Sequence, residues 1–141
     1  CQVHSWQLYV FFVSYICSHT TTKTTKSQED SFTIDIMVKG GHAAMPHQSV
    51  DPIYMGSQIV SALQSLVSRN TDPTDPAVVS VTQFHSGSAY NVIPESAQLC
   101  GTVRTFSHEL RDEMETSMQR VCQSVAESLG GSAELSYVWF Q

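Results

Sequence analysis

The segment 107–131 constrains the fold of this chain most, because it carries a helical pattern with its own start and stop signals. Ser107 can cap the first turn, where Glu109 complements the helix dipole. Gly130 and Gly131 supply a left-handed stop. The apolar residues in between recur at spacings of three or four and so share one face: Leu110, Met114, Met118, Val121, Val125 and Leu129. The sequence therefore predicts a long helix whose apolar face packs in the core.

A second helix and four strands are predicted around it. Asp51 and Pro52 form an N-cap and a favourable first turn, and the helix that they begin should end near Asn70. Its inward face is predicted to consist of Gly56, Ile59, Leu63, Leu66 and Val67. The segment 71–76 holds two prolines and two aspartates and predicts a loop. Strands are predicted at residues 32–38, 77–84, 97–106 and 133–140.

This order of elements, β-α-β-β-α-β, defines the fold class. It predicts an α+β fold of the ferredoxin-like, split βαβ type. In that arrangement a four-stranded antiparallel sheet carries both helices on one face.

Composition limits the classes of function. The chain has 141 residues, enough for one domain with a core, and a net charge of −6 that disfavours nucleic acid as a partner. The four cysteines, Cys1, Cys17, Cys100 and Cys122, form no CxxC pair and are interpreted as free thiols. A reducing compartment, the cytoplasm, is therefore favoured.

Residues 1–30 differ from the rest of the chain. An apolar run at 8–13 is too short to span a bilayer, and the polar, threonine-rich segment 20–27 is typical of a linker. We expect residues 1–30 to be a poorly ordered leader and residues 31–141 to form the domain. The leader also favours the alternative that the chain is a fragment or an uncertain gene model.

Three motifs carry a family resemblance. They are GGHAAMPH at residues 40–47, NVIP at 91–94 and GTVR at 101–104. Together they resemble the lid, or dimerisation, domain of the M20 metallopeptidase and amidohydrolase family, in its aminoacylase and hippurate-hydrolase-like branch. The resemblance extends over residues 32–137. It implies a homodimer and an intact enzyme that hydrolyses the amide bonds of N-acyl amino acids or similar small substrates.

The resemblance also implies roles for individual residues. It assigns His42 to substrate binding and oxyanion stabilisation across the dimer, a role in which one hydrogen-bond donor contributes about 2.7–4 kcal/mol. It assigns Asn91 and Arg104 to the substrate's carboxylate, which a planar guanidinium can bind through both oxygens. On the residues alone, Asn91 could instead satisfy a turn, and Arg104 could form a surface ion pair.

The expected metal centre has no ligands in this sequence. In the family two divalent metal ions, of the zinc or manganese type, activate water in a separate catalytic domain, and neither an HxD motif nor a Glu-Glu pair occurs here. His42 and His47 are five residues apart with Pro46 between them, which disfavours a metal pair. We therefore expect no metal and no activity in this chain alone. The alternative to a lid is a non-catalytic homodimerising module, or a gene fragment without activity; no membrane partner is expected.

Overall fold

A computed structural model describes residues 27–140 of the chain. Six strands and two α-helices make up the domain: β1 (Gln28–Met37), β2 (Gly41–His42), α1 (Pro52–Ser65), β3 (Val78–Ser86), β4 (Val92–Ile93), β5 (Ser96–Thr105), α2 (His108–Ser128) and β6 (Ser132–Trp139). A 3₁₀ turn at Pro46–Gln48 precedes α1, and a π turn at Leu66–Asn70 follows it. The predicted leader segments at 8–13 and 20–26 lie outside the described residues.

The four long strands form one antiparallel sheet in the order β3-β5-β1-β6. The two central strands are therefore β1 and β5, and each helix connects one central strand with an edge strand. This is the ferredoxin-like, split βαβ arrangement, and it confirms the predicted fold class. Among residues 27–140, β3 and β6 are the edges of the sheet.

Alternation along the central strands separates a buried face of the sheet from an open one. Phe32, Ile34 and Ile36 of β1, with Leu99 and Val103 of β5, are fully buried beneath the helices. The side chains between them point to the opposite, open face and are mostly polar. Strand β1 begins at Gln28, so residues 28–30, which the composition grouped with the leader, belong to the sheet.

Helix α1 begins as its sequence predicts. The Asp51 carboxylate accepts hydrogen bonds from the backbone N–H groups of Ile53 (2.8 Å) and Tyr54 (3.3 Å), and Pro52 occupies the first turn. The helical path ends at Asn70 through the π turn, which confirms the predicted end. Of the predicted inward residues only Val67 is partly exposed, and Met55 adds a fully buried side chain that the prediction missed.

Helix α2 confirms the predicted cap and stop but corrects the predicted stripe. Ser107 Oγ accepts a hydrogen bond from Leu110 N (3.2 Å), and Gly130 ends the helix with a φ of 83°. The buried row runs at strict intervals of four, through Leu110, Met114, Met118, Cys122 and Ala126. Val121, Val125 and Leu129 flank this row and pack against the core while remaining only partly buried.

A buried ion pair, which sequence patterns did not predict, joins β1, α2 and β6. Asp30 is fully buried and accepts hydrogen bonds from Arg111 Nε (2.6 Å) and Nη2, Tyr137 Oη (3.2 Å) and Phe140 N (3.1 Å). The Asp30 carboxylate raises the pKa of Arg111. Burial, together with the Asp30 charge, raises the pKa of Tyr137. Arg111 also lies 4.3 Å from the ring centre of Trp139.

Candidate functional site

A small two-stranded ribbon stands at one end of the main sheet and carries two of the three predicted site residues. In it, β2 pairs with β4, so that Gly41 lies opposite Ile93 and His42 opposite Val92. Beyond the paired residues, Ala43 N donates to the carbonyl oxygen of Asn91 (3.0 Å). The ribbon therefore brings His42 and Asn91 together, although they are far apart in sequence. Strands of two residues give no periodic signal, so the pattern analysis did not predict the ribbon.

The first glycine of the GGHA motif permits this ribbon. A Cβ at Gly40 would lie 2.6 Å from the carbonyl oxygen of Ile93 and 2.9 Å from the backbone of Pro94. Both are backbone atoms and cannot move aside cheaply. The same contact region is held by Val38 N donating to Glu95 O at 2.9 Å. Gly40 is therefore required for the close approach of two backbone segments of the same chain.

The His42 ring is exposed and has a defined hydrogen-bond pattern. Ala44 N donates to His42 Nδ1 at 3.1 Å, so this nitrogen acts as an acceptor. In the neutral ring the proton is then carried by Nε2. His42 consequently offers an N–H donor on the outer edge of its ring, the chemistry that an oxyanion or a carbonyl oxygen requires.

Asn91 occupies a corner of a tight turn. Val92 N donates to the carbonyl oxygen of Ala89 (3.4 Å), which places Tyr90 and Asn91 at the two central positions. Both residues are exposed. Asparagine suits such a turn, and its amide is at the same time available to a ligand at the end of the ribbon.

Arg104 lies at the other end of the sheet. It is eight residues beyond the start of β5, which places it roughly 27 Å from the root of the ribbon at about 3.4 Å per residue. Its side chain lies on the open face, where Nη2 contacts Glu29 Oε2 at 2.7 Å and both side chains are 52% exposed. Within one chain, the structure thus does not bring Arg104 close to His42 and Asn91. Arg104 instead forms a surface ion pair, the alternative that its sequence left open.

One side of the domain is free of charged residues. Helix α1 contains no Asp, Glu, Lys or Arg, and neither does the adjacent edge strand β3. Helix α2, by contrast, carries seven such residues. Ile53 (46%), Tyr54 (56%), Val78 (51%) and Phe84 (39%) are exposed on α1 and β3. We call α1 and β3 together the neutral side of the domain.

Metal ligands are not assembled in the described part of the chain. No group of three or more His, Cys, Asp or Glu side chains there could hold a metal ion. His47 lies in the 3₁₀ turn that leads into α1, His85 contacts Gln83 Oε1 (3.1 Å), and His108 contacts the Gln28 amide. Over residues 27–140, no helix is long and apolar enough to cross a membrane.

The fold and the ribbon define an α+β domain of the ferredoxin-like type, and its sequence matches a known domain family. Residues 30–129 match the family described as the peptidase dimerisation domain of the M20 type. The chain belongs to this family, which confirms the resemblance noted from the GGHA, NVIP and GTVR motifs.

Two relatives and one solved structure support the same assignment. An N-acyl-L-amino acid amidohydrolase of Geobacillus stearothermophilus is 47% identical over 108 residues, 77% of this chain and 29% of that protein. Hippurate hydrolase of Campylobacter jejuni is 39% identical over 102 residues, 72% of this chain and 27% of its own. The crystal structure of a dinuclear metal binding peptidase from the M20 family of Bacillus subtilis is 34% identical, with a TM-score of 0.63, over 81% of this chain and 26% of that one. The chain spans under a third of the length of these relatives.

Proposed function

We propose that this chain is the lid and dimerisation domain of a metal-dependent amidohydrolase that cleaves amide bonds of N-acyl amino acids or similar small substrates. The observation that supports the proposal is the ribbon, whose backbone pairing holds Asn91 next to the strand that carries the His42 N–H donor. The named relatives, an N-acyl amino acid amidohydrolase and a hippurate hydrolase, support the substrate class. Residues 28–140 would form the lid, with the preceding residues as its leader. The free thiols of Cys100 and Cys122 support the cytoplasm as its compartment.

The neutral side is the proposed homodimer surface. Edge strands of stable monomers usually carry charges that block further pairing, and β3 carries none. Depletion of charge with exposed aromatic residues is also typical of interface centres. Two-fold pairing of β3 with its copy would join the sheets and bring the two α1 helices together beside the seam.

Such a dimer would also bring Arg104 of one protomer close to the ribbon of the other. Strands paired about a two-fold axis run antiparallel. At each end of the joined sheet, the ribbon end of one protomer therefore lies beside the Arg104 end of the other. The ribbon of one protomer would then share an end with the partner subunit's Arg104. Each composite site would consist of His42 and Asn91 from one chain and the guanidinium from the other.

Within that site the residues have separate tasks. His42 Nε2–H donates to the oxygen that becomes negative as the amide carbon turns tetrahedral. Asn91 orients the substrate by hydrogen bonds from its amide. Arg104 binds the substrate carboxylate, which takes the position now held by Glu29 Oε2.

Two divalent metal ions, of the zinc or manganese type, would supply the activated water in the intact enzyme. The described residues of this chain do not fit such a centre, because they bring no ligand cluster together. The catalytic domain that would hold it is not part of these residues.

The dimer surface can be tested in the chain as it is. Light scattering after size exclusion should give a dimer at micromolar concentration for the unaltered chain. Ser57→Glu places an isolated charge on α1 next to Gly56, the position that contacts Phe84 of β3, and should shift the chain to monomer. Ser124→Glu, an exposed serine on α2, is the matched control and should stay dimeric. A monomeric unaltered chain, or equal effects of both variants, would contradict the proposed surface.

A further inference from the structure

The two ends of strand β6 are attached to the domain in different ways. At its start, Ala133 is buried and Leu135 packs against the core. Towards its end, the three consecutive side chains at 138–140 are each between 45% and 55% exposed. We call residues 137–140 the β6 end segment. Apolar burial therefore secures the start of the strand better than its end segment.

Backbone pairing at the end segment is also one-sided. Among residues 27–140, β6 is an edge of the sheet and pairs with β1 alone. In this register Tyr137 lies opposite Phe32, and Trp139 lies opposite Asp30. A strand end that is half exposed and paired on one side belongs to the part of a domain that opens most easily.

A polar network takes the place of apolar burial at this end. Asp30, buried in the central strand β1, accepts hydrogen bonds from Tyr137 Oη (3.2 Å) and Phe140 N (3.1 Å). Arg111 of α2 donates to the carbonyl oxygen of Phe140 at 3.0 Å, and its guanidinium lies 4.3 Å from the ring centre of Trp139. The N–H and the C=O group of Phe140 are thus bound by the two members of one ion pair.

The contacts of the end segment are shared rather than independent. Trp139 Nε1 donates to Glu115 Oε2 (2.8 Å), one turn beyond Arg111 on α2. The same Asp30 carboxylate accepts from both Tyr137 and Phe140. Because bonds to a shared group support one another, losing one weakens the rest. The end segment should therefore detach as one unit, not residue by residue.

We propose that the β6 end segment is a separately opening unit of the domain, locked onto β1 and α2 by the ion pair of Asp30 and Arg111. Opening frees residues 137–140 from the network, while the start of β6 stays paired with β1. Asp30 and Arg111 remain partners in the open state, so opening leaves no buried charge without its counter-charge. The movement changes the direction in which the chain continues beyond the sheet, as hinge positions at the ends of elements do. This opening does not depend on the proposed function, whose dimer test has a separate readout.

Native-state hydrogen exchange of the 141-residue chain, followed by NMR for each amide, measures this opening. The N–H of Phe140 and those amides of 137–139 that bond to β1 should share one free energy of opening, lower than that of the central strands. Low concentrations of urea should hardly change their exchange, because a local opening exposes little surface. Exchange of the central strands should depend steeply on urea.

Tyr137→Phe tests the lock without touching a backbone donor or acceptor. It removes only the hydroxyl that donates to Asp30, so exchange of the end segment should become about tenfold faster, the effect of one hydrogen bond to a charged group. Tyr90→Phe, the same change at an exposed tyrosine, is the matched control and should leave the end segment unchanged.

Three results would overturn the inference. One is an end segment that exchanges with the same free energy and urea dependence as the central strands, because it would then open only by global unfolding. Another is a Phe140 N–H that exchanges independently of the amides at 137–139, which would be fraying without a shared lock. The third is unchanged exchange of the end segment in Tyr137→Phe.

Discussion

Removing the Asp30 carboxylate should destabilise the fold strongly. Asp30 has no solvent exposure, and its partner Arg111 is only 5% exposed. In Asp30→Ala the guanidinium would stay buried without its counter-charge, and Tyr137 Oη and Phe140 N would lose their acceptor. Breaking a buried pair in this way costs about 3–5 kcal/mol. Because a domain is stable by only about 5–15 kcal/mol, this loss is a large share of the total.

The adjacent residue provides the matched control. Glu29 also forms an ion pair across β1 and β5, with Arg104, but both side chains are half exposed on the open face. Glu29→Ala should cost no more than about 1 kcal/mol, since exposed pairs gain little over hydration. The two variants differ by one position in the same strand and by which face of the sheet they occupy.

Urea unfolding followed by circular dichroism measures the free energy of unfolding of both variants. A third variant, Asp30→Ala with Arg111→Met, removes both charges and should be more stable than Asp30→Ala alone. If Asp30→Ala lowers the free energy of unfolding by less than about 1 kcal/mol, the buried pair stabilises the fold no more than an exposed pair does. A double variant no more stable than Asp30→Ala would show that the unpaired Arg111 charge is not the cause of the loss.

Further predictions concern the ribbon, a helix cap and the buried thiol. Gly40→Ala should cost about 1–3 kcal/mol in urea unfolding, because its Cβ would collide with the backbone of Ile93, and an unchanged midpoint would argue against a close approach. Asp51→Ala should cost about 1 kcal/mol through the lost cap of α1, whereas Asp51→Asn should recover most of it. Burial raises the pKa of Cys122 from 9.0 to about 12, so in the folded state the thiol stays protonated while in the unfolded chain it ionises. Stability should therefore be full below pH 9 and fall by about 1.4 kcal/mol per pH unit between pH 9 and 12 under reducing conditions. Cys122→Ala should flatten that slope, and an equally steep slope in this variant would exclude the thiol as its cause.

The fold followed from local signals that the structure retains. Asp51 and Ser107 act as caps, Gly130 ends α2, and the alternation in β1 selects the buried face. The stripe of α2 was predicted less well. Large apolar residues at 121, 125 and 129 fitted the helical spacing, but the fully buried row continues through Cys122 and Ala126. Neighbouring positions differ by only about 100° around a helix, so hydropathy alone does not decide which of them faces the core.

The site was predictable only in part. The GGHA and NVIP motifs directed attention to His42 and Asn91, and the ribbon brings them together through two-residue strands that carry no periodicity. The buried pair between Asp30 and Arg111 joins residues that are 81 positions apart, so no local pattern could indicate it. The distance of Arg104 from the ribbon likewise depends on strand direction, which becomes visible only once the sheet is assembled.

The central claim, a site shared between protomers, is tested most directly by mixing two inactive variants. In a chimera in which residues 28–140 replace the matching domain of the Geobacillus stearothermophilus amidohydrolase, His42→Ala and Arg104→Ala dimers are each prepared and then allowed to exchange subunits. If His42 and Arg104 in one site come from different chains, each mixed dimer contains one intact site, and random exchange should restore about a quarter of the unaltered activity. If both residues come from the same chain, every site keeps one substitution, and a mixture no more active than its separate components would contradict the account.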